Sequence, residues 1–203
     1  MANKYKDIKV TIAIACQDTI KAYTGFALYQ STKNLPFQHE LVLRKGCDII
    51  GSRIWLARKA IENGSSHILF IDHDMFFPPM KQGDGSYRNP IRTLVDYDLD
   101  VVGADYNFRE LPLKSVVFPL DGIPREIDKL YKCRALGTGF MLIKTDVLKN
   151  LGDAFDSFQF GRGKDGELIQ GEDAFFCENA RKHGYEIWAD PTLGIKHIGD
   201  LMF

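Results

Sequence analysis

Residues 67–79 read HILFIDHDMFFPP, and this stretch decides the fold that the sequence predicts. Its uninterrupted apolar run is typical of a strand buried on both faces at the centre of a parallel sheet. The run ends at Asp72 and Asp74. Side chains two residues apart in an extended chain project to the same side, so both carboxylates could reach one point beyond the strand. Two such oxygen ligands suit a hard divalent cation, although a polar turn is an equally good interpretation of Asp-x-Asp alone.

The segments before this strand alternate between strand and helix patterns. Lys9 to Ala15 and His39 to Leu43 are predicted as strands, and a helix is predicted from about Ala22 to Lys33. Ile50 to Glu62 is apolar at helical spacing and stops at Asn63-Gly64, a good helix end. The order β-α-β-α-β predicts a parallel sheet with right-handed crossovers, a Rossmann-like nucleotide-binding half. No glycine-rich phosphate loop follows the first strand, so a bound diphosphate would need another partner, such as a metal.

The second half of the chain predicts a mixed sheet with shorter strands. Asn89-Pro90 is expected to begin a helix, because asparagine caps helices well and proline suits the first helical position. Thr145-Asp146 is expected to cap a short helix, and Phe155 to Gln170 is expected to form a flexible, glycine-rich loop. Residues 80–89 predict a mobile loop or hairpin tip. Further strands are expected at 100–104, 115–118, 129–133, 140–143 and 185–188, and a helix at 174–183.

Composition limits the functional classes. A chain of 203 residues with 45% apolar residues can bury a substantial core and is predicted to be one domain, residues 1–203. The 26 basic and 27 acidic side chains nearly cancel, which argues against a nucleic-acid partner. No apolar run is long enough for a transmembrane segment, and Val10 to Cys16 fits a strand better than a signal peptide. The four cysteines show no close pair, which favours a reducing, cytoplasmic compartment.

Three further groups of residues could carry chemistry. Gly137 and Gly139 begin an apolar strand, where a glycine either permits close approach to the backbone or marks a bulge. Glu172 and Asp173 begin a helix, where acidic residues are ordinary because they complement the helix dipole. His197 lies near the end of the chain. It and His73 stand at positions suited to metal binding, whereas the other histidines favour structural roles at the ends of elements.

Taken in order, these motifs resemble those of glycosyltransferases with the GT-A fold. Asp72-His73-Asp74 matches the family's DxD motif, Gly137-Thr138-Gly139 its G-loop, Gly171-Glu172-Asp173 its xED motif, and His197 its C-terminal histidine. The segment 51–79 also resembles small glycosyltransferase-2-like proteins of phages and large DNA viruses. In that pattern an Arg-Asn pair precedes the DxD strand; Arg53 matches the arginine, but Ile54 replaces the asparagine.

The resemblance implies an α/β fold of the GT-A type, with a mostly parallel (mixed) central sheet flanked by helices. It also implies a metal-dependent glycosyltransferase that moves one sugar from a UDP- or GDP-sugar to a glycan or other hydroxyl acceptor. The processive QxxRW motif is missing from the sequence. The predicted ligands of Mn²⁺ or Mg²⁺ are Asp72, Asp74 and His197, and an imidazole ligand suits Mn²⁺ better.

The resemblance assigns the remaining roles residue by residue. Asp173 is the expected general base of an inverting reaction, and Glu172 is the alternative base. Residues expected to bind the donor are Gln17, Asp18, Asp48, Arg53, Asp72, His73, Gly137 and Gly139, with the glycine loop also bordering the acceptor. Asp48, after the second strand, matches the acid that contacts the nucleoside base. Retention and inversion both occur in this fold, so the stereochemistry stays open.

Two other functions fit parts of the pattern. A nucleotidyltransferase on a similar sheet would also place paired aspartates at a strand end. It would usually need a basic phosphate grip near the first strand, and residues 16–20 have no Arg, Lys or glycine run. A catalytically inactive nucleotide- or sugar-binding module is the other alternative, against which the presence of Asp74, Asp173 and His197 counts. If the chain is viral, its expected location is the host cytoplasm.

Overall fold

A computed structural model describes residues 4–152 and 157–199 of the chain. The strands are β1 (Lys9–Cys16), β2 (Gln38–Lys45), β3 (His67–Asp72), β4 (Met75–Phe76), β5 (Met80–Lys81), β6 (Tyr87–Arg88), β7 (Val101–Ala104), β8 (Phe118–Pro119), β9 (Tyr131–Ala135), β10 (Phe140–Lys144), β11 (Gly161–Arg162), β12 (Leu168–Gln170), β13 (Ile187–Asp190) and β14 (Lys196–His197). The α-helices are α1 (Ala22–Thr32), α2 (Ile49–Glu62), α3 (Pro90–Asp96), α4 (Thr145–Asn150) and α5 (Glu172–Lys182), and a 3₁₀ turn spans Pro191–Leu193.

Within the described residues, eight strands form one mixed sheet in the order β2-β1-β3-β10-β7-β13-β9-β8. Of these eight, β10 and β9 run against the direction shared by the other six. The predicted α/β class, with a mostly parallel mixed sheet and flanking helices, is confirmed. The prediction of a single domain over residues 1–203 stays a prediction.

Strand β3 lies near the centre of this sheet, as its apolar run predicts. It pairs in parallel with β1 and antiparallel with β10, and Ile68 to Ile71 are at most 2% exposed. Burying this run and its neighbours removes the chain's largest apolar surfaces from water, which is the main favourable term in folding. The carboxyl end of β3 therefore emerges from the buried centre of the sheet.

Helix α2 crosses from β2 to β3 and has well-defined ends. Its N-cap is Asp48, whose carboxylate accepts hydrogen bonds from the backbone amides of Ile50 and Gly51. It ends at Asn63, followed by Gly64 with a φ of +69°, the left-handed conformation that glycine adopts without strain. Asn89 caps α3 in the predicted way, by accepting from the amides of residues 91 and 92.

Three local predictions are wrong. Residues 161–170 form a β-hairpin from β11 and β12, with Gly166 at a φ of +81°, where an irregular loop was expected. Residues 153–156, part of that expected loop, lie outside the described residues. Thr145 does not cap α4; it is the first helical residue, and its hydroxyl donates to the carbonyl oxygen of Ser65. The strand expected at 185–188 lies instead at 187–190.

Two backbone contacts bring distant parts of the chain to the carboxyl end of β3. The amide of Asp72 donates to the carbonyl of Gly139 over 3.0 Å, which fixes the glycine loop beside the strand end. Strand β14 pairs antiparallel with β4, and His197 lies opposite Met75. Among the described helices, none has the length and apolar character needed to cross a bilayer.

Candidate functional site

A buried arginine joins two of the predicted motifs. Arg53 on α2 is 4% exposed, and its guanidinium pairs with Glu172 at the start of α5 and lies 3.4 Å from Asp72 at the end of β3. Breaking such a pair from one side leaves an uncompensated buried charge, which is strongly unfavourable. Arg53 therefore links the end of β3 to the start of α5, although Asp72 and Glu172 are 100 residues apart in the sequence (172 − 72).

Asp173 lies beside this ion pair. Burial raises the pKa of its carboxyl group, and the nearby Asp72 carboxylate raises it further; a hydrogen bond from the amide of Ala174 and the Arg53 charge act in the opposite direction. The sequence predicts that the helix dipole favours the ionised form, but burial outweighs such local effects. A carboxylate with a raised pKa is a better proton acceptor than an ordinary one.

Tyr106 connects the cluster to the glycine loop. Its hydroxyl oxygen accepts a hydrogen bond from the amide of Gly139 over 2.9 Å, and its side chain is buried. A Cβ atom at Gly137 would lie 2.8 Å from the same hydroxyl, and one at Gly139 would collide with it and lie 3.0 Å from Asp72 Oδ2. Glycine at both positions therefore allows the Tyr106 hydroxyl to approach the backbone closely, and a β-bulge is not needed to explain either glycine.

A second group forms around Asp74, two residues beyond the end of β3. Its Oδ1 lies 3.4 Å from Nε2 of His197, and its Oδ2 lies 2.6 Å from Nη1 of Arg109. Burial alone would raise the pKa of Asp74, but the hydrogen bond and charge of His197, followed by the charge of Arg109, lower it overall. The ring of Tyr106 packs edge-on against His197 at a centroid distance of 5.5 Å, so it touches both groups.

The Asp74 group offers part of the ligand set that the predicted divalent cation needs. Asp74 Oδ2 is buried and makes no hydrogen bond with any described residue, since Arg109 approaches it outside hydrogen-bonding geometry. The buried Asp74 carboxylate and the His197 imidazole nitrogen near its Oδ1 are ligands that suit Mn²⁺, and Arg109 holds the place beside Oδ2 that a cation would contest. Within residues 4–152 and 157–199, no three His, Cys, Asp or Glu side chains converge as a metal site. Asp74 and His197 therefore fit as a pair, while Asp72 pairs with Arg53.

The other residues predicted to bind the donor lie at or near the carboxyl ends of β1, β2 and β3. Asp18 pairs with Lys45 at 2.5 Å on the exposed surface, next to the exposed Gln17. Both carboxylate oxygens of Asp48 accept hydrogen bonds from backbone amides in the first turn of α2, so this residue caps the helix. Its contact with a nucleoside stays a prediction. His73 is half-buried, and its carbonyl accepts from the amide of Lys21.

Sequence reasoning missed Tyr106 and Arg109. Both belong to the segment after β7, which the sequence marks only as the end of a strand. Tyr106 reaches the site because an antiparallel bridge between Asn107 and Ser115 folds that segment back, and Tyr106 O accepts from the amide of Val116. Their position just after the predicted strand at 100–104 could have identified both residues as site candidates, because ligands bind at the carboxyl ends of strands in α/β sheets.

Comparisons with known proteins support the fold. No family model matches the chain, and no curated protein matches it by sequence. A solved structure described as A197 from STIV matches 95% of this chain and 86% of its own length, with a TM-score of 0.61 and 15% identity. At that identity the likeness concerns the fold alone.

Two enzymes are also among the similar structures. Apo UDP-glucose pyrophosphorylase has a TM-score of 0.44 and 12% identity, covering 89% of this chain and 72% of its own. A glycosyltransferase involved in the glycosylation of the major capsid of PBCV-1 has a TM-score of 0.40 and 12% identity, covering 70% and 62%. Both are transferases whose names concern sugars, but these likenesses are too weak to carry an activity to this chain.

Proposed function

We propose that this protein is a glycosyltransferase that moves a single sugar from a UDP- or GDP-sugar to an acceptor hydroxyl, with Mn²⁺ or Mg²⁺. The observation that carries the proposal is the charge cluster at the carboxyl end of β3, where Arg53 bridges Asp72 and Glu172 and Asp173 lies alongside. If the cluster only stabilised the core, one carboxylate would be enough to balance the charge of Arg53. Three carboxylates around one buried guanidinium leave excess negative charge, which a ligand with a cation would balance.

Donor binding falls to the Asp74 group. Asp74 and His197 would hold the cation, and Asp72 would contact it or the donor ribose. When bound, the cation acts as a Lewis acid that neutralises the departing diphosphate. The side chain of Arg109 is 48% exposed, and its guanidinium is suited to pair with a phosphate of the donor.

Proton transfer falls to Asp173 rather than Glu172. The Oε1 of Glu172 already accepts from the Arg53 guanidinium, so that carboxylate is committed to holding the arginine. The Oδ1 of Asp173 accepts a hydrogen bond from the amide of Ala174, and the raised pKa of this carboxyl group favours proton uptake. It would take the proton of the acceptor hydroxyl as that oxygen attacks the anomeric carbon, which gives inversion at that carbon.

Thermal unfolding with a panel of UDP-, GDP- and dTDP-sugars, each with and without Mn²⁺, tests the proposal. A ligand that binds only the native state raises the unfolding temperature. We expect one nucleotide class to stabilise the parent protein in the presence of Mn²⁺, and the Asp74→Ala variant to lose that response while keeping its fold. Asp128→Ala, at an exposed position, is the matched control and should respond as the parent does.

Two outcomes would count against the proposal. If no nucleotide sugar shifts the transition, or if the shift is the same in Asp74→Ala, the donor site is wrongly placed. If a nucleotide sugar binds but neither sugar transfer nor slow hydrolysis of the donor is detected, the catalytic part fails. The protein would then be an inactive nucleotide-sugar-binding module.

A further inference from the structure

A groove of about 710 Å³ runs along one side of α5, away from the Asp74 group. It is bounded by that helix, the outer strands β8 and β9, and the end of the β11–β12 hairpin. The residues that line it are Phe118, Arg134, Ala135, Ile169, Gln170, Gly171, Ala174, Glu178, Arg181 and Lys182. A cavity of this size can hold a ligand of several hundred daltons.

The charge in the groove is unbalanced. Among its described lining residues, Glu178 is the single carboxylate, and it already pairs with Lys182 at 2.8 Å and accepts from Gln170 at 3.0 Å. The guanidinium groups of Arg134 and Arg181 have no hydrogen-bond or ion-pair partner in the described part of the chain. Arginine is well suited to carboxylate, phosphate and sulfate, because its planar fork can donate two parallel hydrogen bonds.

One end of the groove adjoins the first turn of α5, which carries the proposed base Asp173. Gly171 and Ala174, which line its upper end, flank Asp173 in the sequence, and a Cβ atom at Gly171 would lie 2.9 Å from Asp173 Oδ1. Arg181 is eight residues further along α5, which places it about 12 Å from Asp173 along the helix axis, at about 1.5 Å per residue.

The groove also offers apolar contact surface. Phe118 is 40% exposed and Ile169 is 65% exposed, and both line the groove. An exposed aromatic ring and an aliphatic side chain can pack against the C–H face of a sugar ring while the charged ends fix the ligand's direction.

From this combination we infer that the groove binds the acceptor, and that the acceptor carries an anionic group, a carboxylate, phosphate or sulfate, separate from the hydroxyl that reacts. Arg134 and Arg181 bind the anion, and the hydroxyl lies at Asp173. The inference rests on the proposed function, since it takes Asp173 as the base. It goes further by stating which chemical class of acceptor the protein selects.

Binding of three small probes tests the charge preference. Methyl glucoside is the neutral probe, its 6-carboxylate and its 6-phosphate are the anionic probes, and affinities are measured by calorimetry at low salt. We expect at least one anionic probe to bind at least tenfold more tightly than methyl glucoside. The double variant R134Q/R181Q should abolish this preference, and the charge-conserving variant R134K/R181K should retain part of it. Lys149→Gln removes an exposed charge on α4 and should leave the preference unchanged.

The carboxylate and phosphate arms identify which anion the groove prefers, and either preference supports the inference. Equal affinity for neutral and anionic probes would overturn it, as would an anion preference that persists in R134Q/R181Q. Both arginines are exposed and unpaired among the described residues, so the variants should fold, and circular dichroism checks this. Nucleotide-sugar binding is measured separately on the same preparations. A chain that binds the anionic probes but no nucleotide sugar would refute the proposed function while leaving the anion site in place.

Discussion

Replacing Arg53 with methionine would test whether the arginine holds the site together. Methionine fills a similar volume but donates no hydrogen bond and carries no charge. Asp72 and Glu172 would then lack the guanidinium that both contact in the parent protein. Their side chains are 27% and 14% exposed, so water compensates them only in part.

The expected cost follows from that burial. Removing one partner of a buried ion pair typically destabilises a protein by about 3–5 kcal/mol. Because Asp72 is partly solvated, we expect the lower end, about 3 kcal/mol. The matched control Lys149→Met removes one partner of an exposed pair with Asp146 and should cost under about 1 kcal/mol.

Urea unfolding followed by far-UV circular dichroism measures the difference. A loss of about 3 kcal/mol corresponds to a midpoint roughly 1 M lower in urea for a slope of ~2–3 kcal/mol/M. Adding Glu172→Gln to Arg53→Met should recover about 1–2 kcal/mol, because it removes one of the uncompensated charges. A midpoint for Arg53→Met as high as that of the control, or a double variant less stable than the single, would refute the bridging role.

Three more variants probe the rest of the site. Asp173→Asn should bind the donor as the parent does but transfer sugar about a hundredfold more slowly. Burial raises the pKa of Asp173 in the folded state, so its charge costs stability at neutral pH; the Asn variant should be more stable there, with the difference vanishing below the ordinary value of 3.8. Arg109→Gln removes the guanidinium 2.6 Å from Asp74 and should tighten Mn²⁺ binding several-fold in calorimetry; unchanged affinity would show that the two cations do not compete. Gly139→Ala should cost about 1–3 kcal/mol in urea unfolding, because the methyl group collides with a buried hydroxyl, whereas Gly25→Ala in open space on α1 should be neutral or stabilising. Equal effects at the two glycines would contradict the close-approach explanation.

The parts of the fold that the sequence predicted well are those specified by local pattern. Strand β3 follows from a continuous apolar run, and α2 follows from helical spacing that ends at Asn63-Gly64. Asn89-Pro90 begins α3 by a capping mechanism that depends on adjacent residues alone. In each case a few neighbouring side chains determine the backbone conformation, so no knowledge of the remaining chain is needed.

The hairpin at 161–170 shows how a polar segment can be misread. Its strands are short and exposed, so they carry no apolar alternation that would reveal them. The useful signal was Asp165-Gly166, a dipeptide that favours a tight turn between antiparallel strands, and Gly166 does adopt a positive φ there. The sequence analysis predicted flexibility from composition and gave no weight to this turn dipeptide, which favours a hairpin.

The arrangement of the site required tertiary information for a different reason. The expectation that Asp72 and Asp74 act at one point assumes an extended chain, but β3 ends at Asp72 and residues 73 and 74 form a turn. Asp72 consequently pairs with Arg53 on α2, and Asp74 contacts His197 on the distant β14. Tyr106 lies between the two groups, with its hydroxyl at Gly139 and its ring against His197. A motif of three letters predicts a position in the chain, but the distant elements that pack on either side of the turn determine what each of its two carboxylates contacts.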